Sequence, residues 1–146
     1  MRARRLRGPV SPERFLRLAV AAVVALGLVV ASGAVVRLTG SGLCCGDHWP
    51  RCGSSPFPAQ DFHAIVEFGN RIVALGGIAA ALVAWLASRR VANLDRRVRL
   101  AALGAFLGTI AQIPLGGLTV ILELHPLAVM SHFLLALVVV ALSVVV

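Results

Sequence analysis

The amino-acid sequence predicts an all-α integral membrane protein built as a four-helix transmembrane bundle. Two observations carry this prediction. The chain is 59% hydrophobic and only 14% charged, and its mean hydropathy is +0.92. It also contains four uncharged apolar runs of 19, 17, 23 and 21 residues, and a membrane-spanning helix needs about 20. Four crossings therefore account for most of the chain and leave little for a soluble domain.

The apolar runs divide the chain into a short tail and one membrane domain. Residues 1–13 are predicted to form a basic cytoplasmic tail, and residues 14–146 to form the membrane domain. The predicted helices cover residues 15–37, 62–88, 99–122 and 126–146. An outer loop is expected at residues 38–61.

The arginines predict how the helices are oriented. Of the 14 basic residues, 11 lie before the first apolar run or between the second and third, and only Arg37, Arg51 and Arg71 lie on the other side. Positively charged loops stay in the cytoplasm, so both termini are predicted inside and residues 37–66 outside. The basic segments lack interleaved aromatic residues, so we expect them to contact anionic lipid headgroups and not nucleic acid.

The first apolar run has two interpretations. A basic segment followed by an apolar run and small residues is also the pattern of a signal peptide. This run is longer than a usual signal-peptide core, and its removal would break the topology that the arginines predict. We therefore favour a retained first helix.

The outer loop contains all three cysteines, Cys44, Cys45 and Cys52. The residues between Cys45 and Cys52 include a glycine and a proline, so the loop can turn back and bring these two sulfurs together. The oxidising side of a bacterial plasma membrane favours a disulfide, and Cys44 is then either free or a competitor for Cys52. A metal site with His48 and His63 is the weaker alternative, because the spacing matches no standard zinc pattern.

The second predicted helix begins with three polar residues on one face. Glu67, Asn70 and Arg71 follow the i, i+3, i+4 spacing. Charged groups within membrane segments are costly and normally face a bundle interior or a polar cavity. Glu67 is therefore a functional candidate. The alternative is a structural ion pair between Glu67 and Arg71 near the membrane surface.

The outer halves of the third and fourth helices carry the remaining candidates. Pro114 is expected to kink the third helix beside Gly116 and Gly117, and such a kink can shape a cavity for a flat ligand. His132 lies about two turns inside the fourth helix among apolar residues. It is either a haem ligand or a neutral histidine hydrogen-bonded to a neighbour, and its position in the sequence fits both interpretations.

Three motifs together resemble the N-terminal half of the bacterial heme A synthase family, to which a mitochondrial cytochrome oxidase assembly protein is related. These motifs are VRLTGSGLCCGDHWPRC at 36–52, EFGNR at 67–71 and LGGLTVILELHPLAVMSH at 115–132. The resemblance implies a bacterial plasma-membrane enzyme that oxidises the C8 methyl group of heme O to the formyl group of heme A for cytochrome oxidase. It further implies one half of a pseudo-symmetric eight-helix protein.

The resemblance also implies roles for individual residues. It places a disulfide at Cys45 and Cys52, the essential carboxylate at Glu67 and the haem-iron ligand at His132. Arg37 and Arg71 are suited to haem propionates, because a guanidinium matches a carboxylate. At the cofactor-binding position 70 the chain departs from the family's ExxHR pattern. Asn70 replaces a histidine there, which leaves His132 as the ligand of this half.

A second departure concerns length. The family holds a heme b cofactor in its C-terminal half, which this chain lacks, and the apolar run that ends at Val146 is typical of truncation. A missing half, a second copy in a homodimer or another electron donor is therefore expected as a partner, together with heme O and heme O synthase. The alternatives are a non-catalytic haem-binding or assembly subunit and a quinone-linked disulfide oxidoreductase. The latter is disfavoured because no CxxC motif is present.

Overall fold

The computed structural model describes residues 9–44, 57 and 60–146, and these residues form four α-helices without strands. All four helices are long and apolar enough to cross a membrane. The helices are α1 (Pro12–Leu38), α2 (Phe62–Ser88), α3 (Arg96–Ile121) and α4 (Pro126–Val145). The predicted fold class, an all-α multi-pass membrane protein, is confirmed.

Capping residues set where the helices begin. Helix α1 starts three residues before the predicted boundary, because Ser11 Oγ accepts the backbone N–H of Arg14 and Pro12 occupies the first turn. Asp61 caps α2 by accepting from the N–H groups of His63 and Ala64. Asp95 caps α3 in the same way, which brings two further arginines into that helix. Helix α3 continues through Pro114.

Consecutive helices run antiparallel and form a closed ring. Helix α1 packs against α2 and α4, and α3 packs against α4 and α2. Helices α2 and α4 therefore occupy opposite corners of the bundle. This arrangement puts the polar residues of α2 and the histidine of α4 on different sides of the half of the bundle that contains the α1–α2 and α3–α4 connections.

Glycines allow the closest approaches between helices. A Cβ added at Gly77 would lie 2.8 Å from Val29 Cγ2 on α1, and one at Gly108 would lie 2.6 Å from Val139 Cγ2 on α4. The neighbouring Gly76 meets no atom within 4 Å. Of the Gly76 and Gly77 pair, only Gly77 therefore makes the close helix contact that small residues permit in membranes.

Apolar packing and hydrogen bonds hold the helices together at both ends of the bundle. At one end Phe15, Ala87 and Val91 form a buried apolar cluster, and the Arg99 guanidinium donates to the Val91 carbonyl at 3.1 Å. At the other end Ser41 is fully buried, and its Oγ lies 3.0 Å from His63 Nδ1. The chain leaving α1 is thus held against the start of α2.

The turn between α3 and α4 has an uncommon backbone conformation. Glu123 and Leu124 both have positive φ angles, 49° and 60°, a conformation that is uncommon for residues other than glycine. A Cβ at Gly42 would lie 3.0 Å from Leu124 Cδ1. The Leu124 side chain therefore packs directly against Gly42, and a larger residue at position 42 would require this side chain to shift.

Candidate functional site

The polar face of α2 carries a buried ion pair. Glu67 is only 5% exposed, and Arg71, one turn further along the helix, places its Nη2 2.5 Å from Glu67 Oε1. A carboxylate removed from water needs a partner of opposite charge, and Arg71 supplies one. The pair fits a structural ion pair, and it also holds a carboxylate in a defined orientation for chemistry.

Asn70 is directed towards α1. Ser32 Oγ donates to Asn70 Oδ1 at 2.7 Å, and a Cβ at Gly33 would lie 3.8 Å from the same oxygen. The amide oxygen thus forms part of the α1–α2 contact. A carboxamide is a poor iron ligand, so Asn70 here serves helix packing and offers its NH₂ group as a donor.

His132 is half-buried at the α3–α4 contact. Its Nδ1 is buried and has no hydrogen-bond partner. Gly116 lies against the ring, since an added Cβ would be 3.3 Å from His132 Cε1. The expected alternative of a neutral histidine satisfied by a serine, a glutamine or a backbone carbonyl is therefore not realised at Nδ1 among the described residues. The ring is packed but not hydrogen-bonded there.

Gln112 is the polar side chain nearest to His132 in the hydrogen-bond network. Its Nε2 donates to the His132 backbone carbonyl at 3.1 Å. Its Oε1 is buried and lacks a partner. Gln112 and Gly116 are four residues apart, so both present themselves on the α3 face that packs against His132.

The candidates lie at similar depths but not in one cluster. Glu67 and His132 lie about 8 and 9 Å along their helices from the first residues of α2 and α4, at 1.5 Å per residue. Because α2 and α4 occupy opposite corners, these two side chains flank the outer half of the bundle from different sides. Arg37 is exposed in the last turn of α1, above this level.

The predicted disulfide lies outside the described residues, because Cys45 and Cys52 both do. Cys44 is described and exposed. The weaker prediction of a metal site near His63 gains no support. No group of three or more potential metal ligands occurs within residues 9–44, 57 and 60–146. The His63 ring bonds Ser41, and His48, the other predicted ligand, lies outside the described residues.

Sequence reasoning missed the partners of the candidate residues. Ser32 is one of many small residues in α1, and nothing in the sequence pairs it with Asn70. A signal for Gln112 was present, because it is an isolated amide within an apolar run of the third helix. An isolated amide in a membrane segment needs a hydrogen-bond partner, and its approach to His132 emerges only from the packing of α3 on α4.

Comparison with known proteins gives one consistent result. Residues 16–146 match the family model described as cytochrome oxidase assembly protein. The heme A synthase of Symbiobacterium thermophilum is 38% identical over 108 residues, which are 73% of this chain and 35% of that protein. The heme A synthase of Bacillus licheniformis is 31% identical over 80% of this chain and 38% of that protein. The heme A synthase of Lysinibacillus sphaericus is 32% identical over 83% of this chain and 40% of that protein.

The chain thus spans only 35 to 40% of the length of these three curated relatives. No solved structure matches it.

Proposed function

We propose, from the premise that the chain belongs to the cytochrome oxidase assembly protein family, that it forms the heme O binding half of a heme A synthase. The relatives named heme A synthase support this proposal. The observation that carries it is the occurrence, at similar depths of the bundle, of a buried carboxylate on α2 and an incompletely bonded histidine on α4.

His132 is the proposed contact to the iron of the substrate. Its Nδ1 is buried without a partner, and the ring lies on a glycine where a larger residue would force it to move. Since Nδ1 is the buried ring nitrogen, Nε2 is the atom proposed to meet the iron, and an imidazole nitrogen is a common haem ligand. Arg37 and Arg71 lie towards the outer side, where guanidinium groups can pair with the propionates of a haem.

Glu67 is the proposed catalytic residue. Conversion of a methyl group to a formyl group is a four-electron oxidation in which the carbon loses two hydrogen atoms and gains one oxygen atom; with water as the oxygen source, four protons and four electrons are released. No side chain performs this oxidation, so a redox cofactor is required. The role of Glu67 is to accept a proton or to stabilise positive charge at the carbon being oxidised. Arg71 orients the carboxylate for that role.

The heme b of the family does not fit the residues that the structure describes. Two histidines inside facing helices would be needed, and among residues 9–44, 57 and 60–146 only His132 lies more than one turn inside a helix. Asn70 is bonded to Ser32 at the position of the second histidine. We infer that heme b is held by a second half or another partner that supplies those histidines, because a second copy of this chain would bring the same described residues. Heme O synthase is the expected source of substrate.

The second candidate is a haem-binding or assembly subunit without catalysis. The bond between Ser32 and Asn70 favours it, because position 70 then contributes to helix packing and not to iron binding. The two candidates share haem binding at His132. They differ in whether heme A is formed.

The test is to purify the chain from membranes that contain heme O and to identify the haems extracted from it. We expect bound heme O or heme A in the wild-type protein and loss of that haem in His132→Ala. Formation of heme A favours the enzyme, and bound heme O without conversion favours the assembly subunit. A folded wild-type protein that binds neither haem contradicts both.

A further inference from the structure

Two polar atoms without partners lie at the same contact between α3 and α4. His132 Nδ1 and Gln112 Oε1 are both buried, and neither has a hydrogen-bond partner. A buried polar group left unpaired costs about 1–3 kcal/mol. Because the two residues are already joined by the bond from Gln112 Nε2 to the His132 carbonyl, one explanation for both atoms is required.

The bond to the carbonyl fixes which end of the Gln112 amide remains available. Nε2 donates to the His132 carbonyl oxygen at 3.1 Å. The flipped amide would place its own oxygen against that carbonyl, and two acceptors cannot form a hydrogen bond. The remaining end is therefore Oε1, which can only accept.

The requirement of Oε1 for a donor specifies the state of the imidazole. A neutral imidazole carries its proton on one of its two ring nitrogens. With the proton on Nε2, Nδ1 would be a second acceptor, and it could not bond Oε1. With the proton on Nδ1, donor and acceptor are complementary. The two atoms do not bond each other in the structure as it stands, so the direct bond requires a rotation of the ring or of the amide.

We propose that Gln112 is a positioning residue that accepts the Nδ1–H of His132 and thereby leaves the Nε2 lone pair free to bind a metal. Histidines that bind metals almost always donate their other ring N–H to such an acceptor, which fixes the tautomer and the ring orientation. Gly116, one turn from Gln112, lies against the ring and limits its movement. The use of Nε2 for haem iron rests on the proposed function, whereas the tautomer does not.

The tautomer can be measured without haem. Haem-free protein labelled with ¹⁵N-histidine, in micelles at a pH where the ring is neutral, gives long-range ¹H–¹⁵N spectra that distinguish the two tautomers. The His132 signals are assigned by their absence in His132→Ala. We expect the Nδ1–H tautomer in the wild type and a shift towards Nε2–H in Gln112→Leu.

Two further variants separate positioning from general packing. Gln112→Glu keeps an acceptor oxygen, so it is expected to retain the Nδ1–H tautomer. Thr109→Val removes another buried polar group of α3, whose hydroxyl bonds the Ala105 carbonyl of its own helix, and should leave the His132 signals unchanged. An Nε2–H tautomer in the wild type overturns the proposal, and this result needs no variant to fold.

Haem binding then distinguishes failure of this proposal from failure of the proposed function. With added heme O we expect Gln112→Leu to bind about 10–100-fold more weakly than the wild type, and Gln112→Glu to bind more tightly than Gln112→Leu. If haem binds through His132 but the His132 tautomer is the same with and without Gln112, only the positioning role is refuted. If the tautomers are as expected but the protein does not bind haem, only the proposed function is refuted.

Discussion

At the scale of single residues, a structural role and a catalytic role of Glu67 both depend on the same buried ion pair. The carboxylate is buried, and it is paired with Arg71 at 2.5 Å. A buried ion pair is weak evidence for stability, because desolvation offsets the Coulomb attraction, and removing one partner leaves an uncompensated charge. Loss of stability on mutation would therefore not establish a role in catalysis. A variant must remove the charge and keep the shape.

Glu67→Gln is such a variant. If the carboxylate accepts a proton or stabilises a cation, we expect heme A formation to fall by about 10²-fold or more, within the usual range for general acid–base catalysis. Heme O bound at His132 should remain. The measurement is the ratio of heme A to heme O in cells that make heme O, normalised to folded protein.

The structural alternative makes a different prediction for the same pair. If the ion pair only supports the fold, Glu67→Gln lowers the thermal unfolding temperature while each folded molecule forms heme A at the normal rate. Replacing both Glu67 and Arg71 by leucine then restores stability, since apolar residues of similar volume often substitute well for a buried ion pair. An unchanged heme A yield in Glu67→Gln removes this residue from the mechanism.

At the scale of the helix, glycines decide which faces meet. Gly77 and Gly76 are adjacent in α2, yet only Gly77 faces α1, where an added Cβ would lie 2.8 Å from Val29 Cγ2. Valine has little freedom to rotate away within a helix. The close approach of α2 to α1 at this point therefore depends on the absence of a side chain at Gly77.

The adjacent glycines provide a matched pair of variants. We expect Gly77→Ala to lower the free energy of unfolding by about 1–3 kcal/mol, the usual cost of inserting a methyl group into a packed contact. Gly76→Ala has open space around it and should be neutral or raise that free energy by up to about 1 kcal/mol, since alanine favours the helix. Unfolding in mixed micelles measures both, and effects of the same sign would show that the contact is not as close as described.

The number and length of the helices could be predicted from the sequence, but their facing surfaces could not. A spanning helix is apolar towards lipid and towards its neighbours, so hydrophobic periodicity does not reveal which face is inside. This is why Gly76 and Gly77 were not distinguished. For the same reason Ser32 could not be assigned to Asn70, nor Gln112 to His132. Glu67 and His132 could be found, because polar groups stand out in apolar runs.

At the scale of the whole molecule, the bundle is a four-helix unit that covers 35 to 40% of the three relatives compared. Its outer half holds Glu67, Asn70 and His132, and its other half is packed by alanines and the Phe15 cluster. The proposed haem site is thus confined to one side of the membrane. Which side that is depends on the arginines.

The charge distribution predicts that side. In the sequence, eleven arginines precede the first apolar run or lie between the second and third runs, against three between the first and second. Positive segments are retained in the cytoplasm, so we expect the N-terminus and Val146 inside and the proposed site facing outwards. Two exposed positions at opposite ends of the bundle, Cys44 and Ala92, make this testable with thiol labelling.

In one variant Cys45 and Cys52 are replaced by serine, which leaves Cys44 as the single cysteine. In the other all three native cysteines are replaced and Ala92→Cys is introduced. A membrane-impermeant maleimide should label Cys44 in intact cells with the outer membrane opened, and label position 92 only after the inner membrane is permeabilised. The reverse pattern would place Glu67 and His132 on the cytoplasmic side, and heme O would then have to be oxidised from that face.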